Sequence, residues 1–144
     1  MRSVAHILGR KGRNTVTVAP ATTVLEALSI MANHNIGSVM VMEHGELKGI
    51  MTERDYSRKV ILKGKSSTDT PVSEIMSTNF PKISPKDSIE HCMELMSENN
   101  IRYLPVYESG ALAGIVSIND VVKETIAAQA ETISSLKDYM HSGL

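Results

Sequence analysis

Cys92 is the single cysteine of a 144-residue chain, so an intramolecular disulfide is impossible and a cysteine-based zinc site is excluded. Tryptophan is absent, phenylalanine occurs once and tyrosine four times, which leaves few flat rings on which single-stranded nucleic acid could stack. An excess of one charge is also missing. The formal net charge is −1, and no global field draws the chain to nucleic acid or to an anionic membrane. No run approaches the roughly 18 apolar residues of a membrane span, and the opening MRSVAHILGRKG lacks a signal peptide's apolar stretch. The sequence therefore reads as soluble and intracellular, with a cytoplasmic location expected. His6, His34, His44, His91 and His141 show neither H-x-x-x-H nor H-E-x-x-H spacing, so no metal is expected. No nucleophile, base and acid form an arguable set, and an enzyme is not expected.

Apolar residues make up 42% of the chain and charged residues 22%, an ordinary globular composition for one domain or two small ones packed together. The dominant feature is a repeat. GIMTERD (Gly49–Asp55) and GIVSIND (Gly114–Asp120) stand 65 positions apart, and the same shift aligns Thr15–Val60 with Phe80–Thr125 without a gap. It pairs Pro20 with Pro85, Met31 with Met96, Asn35 with Asn100, Gly45 with Gly110, Gly49 with Gly114 and Asp55 with Asp120. Upstream, VAHIL (Val4–Leu8) corresponds to VSEIM (Val72–Met76), with a spacer three residues longer in the first half.

Each repeat changes period in a fixed order. A short extended stretch, TVTVAP or FPKISP, stops at a proline, which cannot donate to a ladder. An i, i+3, i+4, i+7 stripe follows, Val24, Ala27, Leu28, Met31 and then Ile89, Cys92, Met93, Met96. It predicts a helix capped at Thr22/Thr23 or Asp87/Ser88, with its methionines as core filler. GSVMVM or YLPVY, a glycine-containing turn, and LKGIM or LAGIV predict a hairpin, and a second helix begins after Thr52 or Ser117. The order per repeat is strand, helix, strand, strand, helix. Such a unit cannot bury both faces alone, so two copies should pack sheet to sheet. The expected layout is an N-terminal segment (1–14), repeat 1 (15–62), a linker carrying VSEIM (63–79), repeat 2 (80–125) and a C-terminal helix (126–144). In that helix Ile126, Ile133 and Met140 recur at seven, with Ala130 and Leu136 beside them, which forms an apolar seam.

ILGRKG, TVLEALSIMANHNIG, GIMTERDYSRKV, VSEIM, IRYLPV and GIVSIND together resemble a tandem pair of CBS domains, the modules named for cystathionine β-synthase, and the match covers nearly the whole chain. The resemblance is strongest to small stand-alone CBS-pair proteins, since little chain remains for a second domain. It implies an α/β (α+β) fold of two β-α-β-β-α repeats packed sheet to sheet with pseudo-twofold symmetry, plus the C-terminal helix. It also implies a regulatory, non-catalytic module that binds an adenine nucleotide, signals to a regulated protein not identified by the sequence, and associates as a homodimer.

The repeated phrase has two physical readings. Thr52-x-x-Asp55 and Ser117-x-x-Asp120 are capping boxes, which alone would explain both residue types. A helix N-terminus also offers N–H groups and positive potential to phosphate, and an Asp one turn on can accept from the two hydroxyls of a ribose. The resemblance implies that the phrase contacts a nucleotide's phosphate and ribose, in sites built across the repeats. The first would use Thr52, Arg54 and Asp55 with Phe80, Pro81, Asp87, Ile101, Arg102, Tyr103 and Pro105. Arg54 and Arg102 are its candidate phosphate partners, and Tyr103 stands where many relatives have histidine. The second would use Ser117, Asn119 and Asp120 with Thr22, Ala27, Ile36, Gly37 and Ser38. Being less cationic, it is expected to hold adenosine or a lightly charged nucleotide more weakly, or nothing. AMP or NAD(H) are the favoured ligands, with ADP and ATP in the same class. GRKGRN (Gly9–Asn14) is a basic G-x-x-G stretch like that of KH RNA-binding domains. With so little net charge it is read as a solvated linker, and Arg10, Lys11 and Arg13 as second-rank phosphate contacts. The rival reading is an interaction module with a vestigial nucleotide cleft.

Overall fold

The computed structural model describes residues 2–142. Met1 and the end of the expected C-terminal helix, Gly143 and Leu144, lie outside the described residues. The chain divides into two compact units, Asn14–Phe80 and a second made of residues up to Arg13 with those from Pro81 onward.

In the first unit, β1 (Thr17–Val18), α2 (Val24–His34), β2 (Ser38–Glu43) and β3 (Glu46–Thr52) are followed by α3 (Glu53–Tyr56), a π-turn (Ser57–Ile61) and a 3-10 turn (Val72–Glu74). β1 runs parallel to β2, and β2 pairs antiparallel with β3, with Ser38 opposite Thr52. Thr23 caps α2 by accepting from the Glu26 N–H at 3.2 Å. Asn35 ends it in the left-handed conformation (φ 52), which asparagine tolerates better than most residues. The helix buries Val24, Ala27 and Met31 against Val39, Val41 and Met51.

The second unit holds α1 (Val4–Lys11), α4 (Ile89–Asn99), β4 (Tyr103–Glu108), β5 (Ala111–Ser117) and α5 (Ile118–Ser142). It repeats the same devices. Ser88 accepts from the His91 N–H at 3.1 Å, Asn100 closes α4 at φ 52, and β4 pairs antiparallel with β5, Tyr103 opposite Ser117. Both hairpin turns carry two left-handed residues, His44 and Gly45 in one, Ser109 and Gly110 in the other, the pairing that suits the twist of the flanking strands.

The repeated glycine has a packing cause. In the first unit the VSEIM segment ends across β3, where Ile50 and Ser77 exchange two backbone hydrogen bonds of 2.9 Å. A Cβ on Gly49 would lie 2.7 Å from Met76 Sδ and 2.9 Å from the Ser77 carbonyl oxygen. In the second unit VAHIL forms most of α1, and a Cβ on Gly114 would meet Leu8 Cδ2 at 2.9 Å. Each repeat is crossed at this glycine by a segment that precedes the other repeat in sequence.

Four sequence expectations need correction. FPKISP forms no strand among the described residues; Ile83 alone bridges Val106 in parallel, because Pro81 and Pro85 offer no N–H to either side. Met93 is 37% exposed rather than core, lying at the edge of its stripe. GRKGRN is not a linker: Gly9, Arg10 and Lys11 form the last turn of α1, which Gly12 stops at φ 86, and cations suit a helix C-terminus. The helix that opens after Ser117 runs unbroken through the expected boundary at 125/126 to Ser142. It leaves Ile126, Ile133, Leu136 and Met140 54–69% exposed.

Candidate functional site

At the end of β3, Thr52 is extended (φ −119, ψ 165) and becomes the N-cap of α3. Its hydroxyl oxygen accepts from the Asp55 N–H at 3.1 Å, while Asp55 Oδ2 accepts from the Thr52 N–H and hydroxyl, both at 3.0 Å. The capping box is therefore real. The other carboxylate oxygen is engaged as well: Oδ1 accepts from the Ser77 hydroxyl at 2.9 Å and pairs with the Lys59 ammonium at 2.9 Å. Two bonds per oxygen use the lone-pair capacity of the carboxylate, and Asp55 is only 4% exposed. Lys59 stands on the π-turn, a distortion frequent at functional sites, and also donates to the Ile75 carbonyl at 2.9 Å.

The second unit builds the same cap from Ser117 and Asp120. The Asp120 N–H donates to the Ser117 hydroxyl at 3.2 Å, and Asp120 Oδ2 accepts from the Ser117 N–H at 2.8 Å. Here the ammonium comes from another element. Lys11, at the end of α1, places Nζ 2.8 Å from Asp120 Oδ2 and donates to the Ile115 carbonyl at 3.1 Å. Both partners fall on Oδ2, and the Asp120 side chain is 15% exposed against 6% for Asp55.

The residue 65 positions after Lys59 is Glu124, so the repeat exchanges a cation for an acid at this place. Glu124 is fully buried. Arg10 Nη1 lies 3.0 Å from Oε1, Arg2 Nη1 lies 3.4 Å from Oε2, and Arg2 also pairs with Glu131. Neither glutamate oxygen receives an aligned hydrogen bond, so the clasp is one of charge. In the first unit a helix lysine holds a carbonyl of the crossing segment; in the second, Arg10 of the crossing helix and Arg2 just before it hold a helix glutamate. Between α1 and α5 this leaves a cavity of about 250 Å3 lined by Ile7, Arg10, Lys11, Asp120, Lys123 and Glu124.

The remaining expected site residues divide between the units. Arg54 and Phe80 lie with Thr52 and Asp55, both half-buried. Pro81, Asp87, Ile101, Arg102, Tyr103 and Pro105 lie in the other unit with Ser117, Asn119 and Asp120. Asp87 Oδ2 accepts from the Ser84 N–H at 2.7 Å and Thr22 Oγ1 from the Ala19 N–H at 3.1 Å, so these two positions, 65 apart, hold equivalent turns. The Gly37 carbonyl accepts from the Glu53 N–H and the Arg102 carbonyl from the Ile118 N–H, which seats each cap against the strand start of its own repeat. Ser38 is 7% exposed and Ala27 fully buried; Ile36 and Ile101 pack on the cores of their units. Arg102 and Asn119 are exposed. Arg13 pairs with Glu108 at 2.7 Å.

Sequence reasoning missed Lys59, Ser77, Lys123 and Glu124. The i, i+4 spacing of Asp55 and Lys59 was an available pointer, as was the charge exchange between Lys59 and Glu124. It also underrated the cations near Asp120, because they come from α1 and from Lys123 rather than from the aligned positions Gly37, Ser38 and Asn119. Burial pushes the Cys92 thiol up from 9.0 to about 11, with the Asp87 charge adding to the shift, so it stays a neutral core group. Among the described residues no three His, Cys, Asp or Glu side chains gather as metal ligands would, and no helix is long and apolar enough to cross a membrane.

The chain thus carries two helix caps of one design, each closed on an Asp and set on one member of a duplicated helix-hairpin-helix unit. The CBS domain model matches residues 7–61 and 72–126, and the chain belongs to this family. The CBS domain-containing protein YhcV of Bacillus subtilis is 36% identical over 128 residues, 89% of this chain and 90% of that one. The mitochondrial CBS domain-containing protein CBSX3 of Arabidopsis thaliana is 38% identical over 126 residues, 84% of this chain, which spans 61% of the plant protein's length. Among solved structures, a protein with CBS domains from Burkholderia ambifaria is 43% identical with a TM-score of 0.85, covering 88% of this chain and 96% of its own. A CBS domain pair in complex with 5′-methylthioadenosine and S-adenosyl-L-methionine is 27% identical with a TM-score of 0.77, covering 89% and 98%. CBS pairs are in general regulatory modules that bind adenosine-containing ligands.

Proposed function

We propose that this chain is a non-catalytic sensor that binds an adenine nucleotide, AMP, ADP, ATP or NAD(H), and passes the resulting change to a protein partner. The observation that carries the reading is the duplicated helix-start carboxylate, Asp55 and Asp120, each with a hydroxyl residue at the cap and an ammonium on the acid. A ribose can replace the ammonium as hydrogen-bond donor, and the helix N-terminus accepts a phosphate. The adenosine compounds bound by the related CBS pair support the ligand class. The two ligand sets are those given by the family resemblance, one around Thr52, Arg54 and Asp55 and the other around Ser117, Asn119 and Asp120. The exposed seam of α5 supports a homodimer as the working form.

The two carboxylates differ in how readily they open. A ribose that takes both carboxylate oxygens must displace Ser77 and Lys59 from Oδ1 of Asp55, whereas at Asp120 it must displace only Lys11, from Oδ2. The second site, expected from sequence to be the weaker, is thus the one whose acid is freed by moving a single side chain. Thermal unfolding with and without AMP, ADP, ATP, NAD+, NADH and S-adenosylmethionine tests the function. A ligand at 100 times its dissociation constant adds about 2.7 kcal/mol of stability. No shift with any compound would favour an interaction module whose caps are structural.

A further inference from the structure

Lys11 Nζ lies 2.8 Å from Asp120 Oδ2, and a ribose that bridged both oxygens of this carboxylate would have to take Oδ2 from it. Evicting an ammonium from a carboxylate removes a charge-assisted bond, about twice as strong as a neutral one. The Lys11 side chain is 32% exposed and its stem stays anchored to α1, so an evicted ammonium remains at the cavity that it lines with Arg10 and Lys123. Arg10 is kept there by Glu124, whose Oε1 lies 3.0 Å away. With Asp120 taken by the ribose and Arg10 paired to Glu124, Lys11 and Lys123 are the cations of the cavity left to meet what the ribose carries. A phosphate supplies the counter-charge that Lys11 loses; a bare nucleoside does not.

We propose that Lys11 makes the Asp120 site selective for phosphorylated nucleosides over neutral ones, competing with the ribose for Asp120 and pairing with the phosphate once displaced. This rests on the reading of Asp120 as the ribose acceptor. It departs from the sequence expectation that this site holds adenosine or a lightly charged nucleotide more weakly, or nothing.

Titration calorimetry on the full chain tests it, using the binding event that Asp120→Asn abolishes. The wild-type protein should bind AMP or ADP at least about ten-fold more tightly than adenosine, about 1.4 kcal/mol. Lys11→Gln should bind adenosine more tightly than wild type and AMP more weakly, so that the preference collapses. Lys11→Arg, which keeps the charge, should retain it. A preference unchanged in Lys11→Gln, or equal losses for adenosine and AMP, would overturn the role of Lys11 and leave the nucleotide reading standing. An Asp120→Asn protein that binds every compound as wild type does, or a wild-type protein that binds none, would overturn the site itself and the inference with it.

Discussion

Replacing Asp55 with alanine should cost the fold more than replacing its repeat partner Asp120, although the two occupy equivalent places in the sequence. Asp55 makes four contacts of 2.9–3.0 Å, two within the cap and two to Ser77 and Lys59. Loss of a cap costs typically about 1 kcal/mol, and hydrogen bonds to a charged group contribute about 1.5–3 kcal/mol each. These terms overlap, and Lys59, whose side chain is 43% exposed, rehydrates, which limits its share. The expected loss is about 3 kcal/mol for Asp55→Ala. Asp120 accepts from Ser117 and Lys11 on one oxygen, and Lys11 keeps the Ile115 carbonyl, so Asp120→Ala should lose about 1 kcal/mol, mostly the cap. Asp55→Asn retains one acceptor oxygen for the cap and should fall between. Urea unfolding reads this directly: at an m of about 2 kcal/mol/M, Asp55→Ala moves the midpoint down by about 1.5 M and Asp120→Ala by about 0.5 M. Equal losses, or a larger loss at Asp120, would refute the account of Asp55 as the closed acid.

Gly49→Ala drives a Cβ against the Ser77 carbonyl, which cannot yield without breaking its pair with Ile50, and should cost about 1–3 kcal/mol in urea unfolding. Gly114→Ala meets only the end of Leu8 closely and lowers the entropy of the unfolded chain, so it should stay within about 1 kcal/mol of wild type; the reverse order would overturn the crossing argument. Glu124→Met should be neutral or stabilising in the same assay, because it removes a buried charge that receives no aligned hydrogen bond while Arg10, half-exposed, rehydrates and Arg2 keeps Glu131, so neither cation is left buried and unpaired; a large loss would show that the clasp holds α1 in place. The raised Cys92 pKa means that the folded state keeps its proton longer than the unfolded one, so the thiol's contribution is full below about pH 9 and is lost as pH rises to about 11; stability independent of Cys92→Ala across that window would contradict it. Light scattering at micromolar concentration should give about twice the mass of the 144-residue chain, and truncation after Thr125, which removes the exposed seam, should loosen the dimer; a monomeric full-length protein would exclude it.

The elements were legible because their causes are local. Helix stripes placed Val24, Ala27 and Met31 and then Ile89, Cys92 and Met96, all buried. The paired asparagines mark helix ends, and the Thr and Ser at the caps accept the bonds that their side chains allow. What was not legible lies at long sequence range. That VAHIL serves the second repeat and VSEIM the first follows from which segment presses on Gly114 and which on Gly49, and both segments fit the same kind of groove. The ammonium groups follow the same rule: Asp55 finds Lys59 one helical turn away, whereas Asp120 finds Lys11 from 109 residues earlier. No repeat alignment could supply the second from the first.

That difference bears on how a ligand acts. Each acid already closes a cap, so its remaining lone pairs are the only ones that a ribose can take without unwinding the helix start. At Asp55 those pairs are held by Ser77, which follows VSEIM, and by Lys59, which also grips the Ile75 carbonyl of that segment. At Asp120 the competing group is Lys11 of α1, whose neighbour Arg10 clasps Glu124 on α5. In both units the group that yields to a ligand either belongs to the crossing segment or holds it. A ligand that took either carboxylate, as proposed, would exchange a bond that fixes a crossing segment for one to itself, and the difference in free energy between the held and released segment would be the coupling available to a partner. In the second unit that segment bears on α5 through Arg10 and Glu124, the helix that carries the exposed apolar residues, so the proposed coupling would run from Asp120 to that helix.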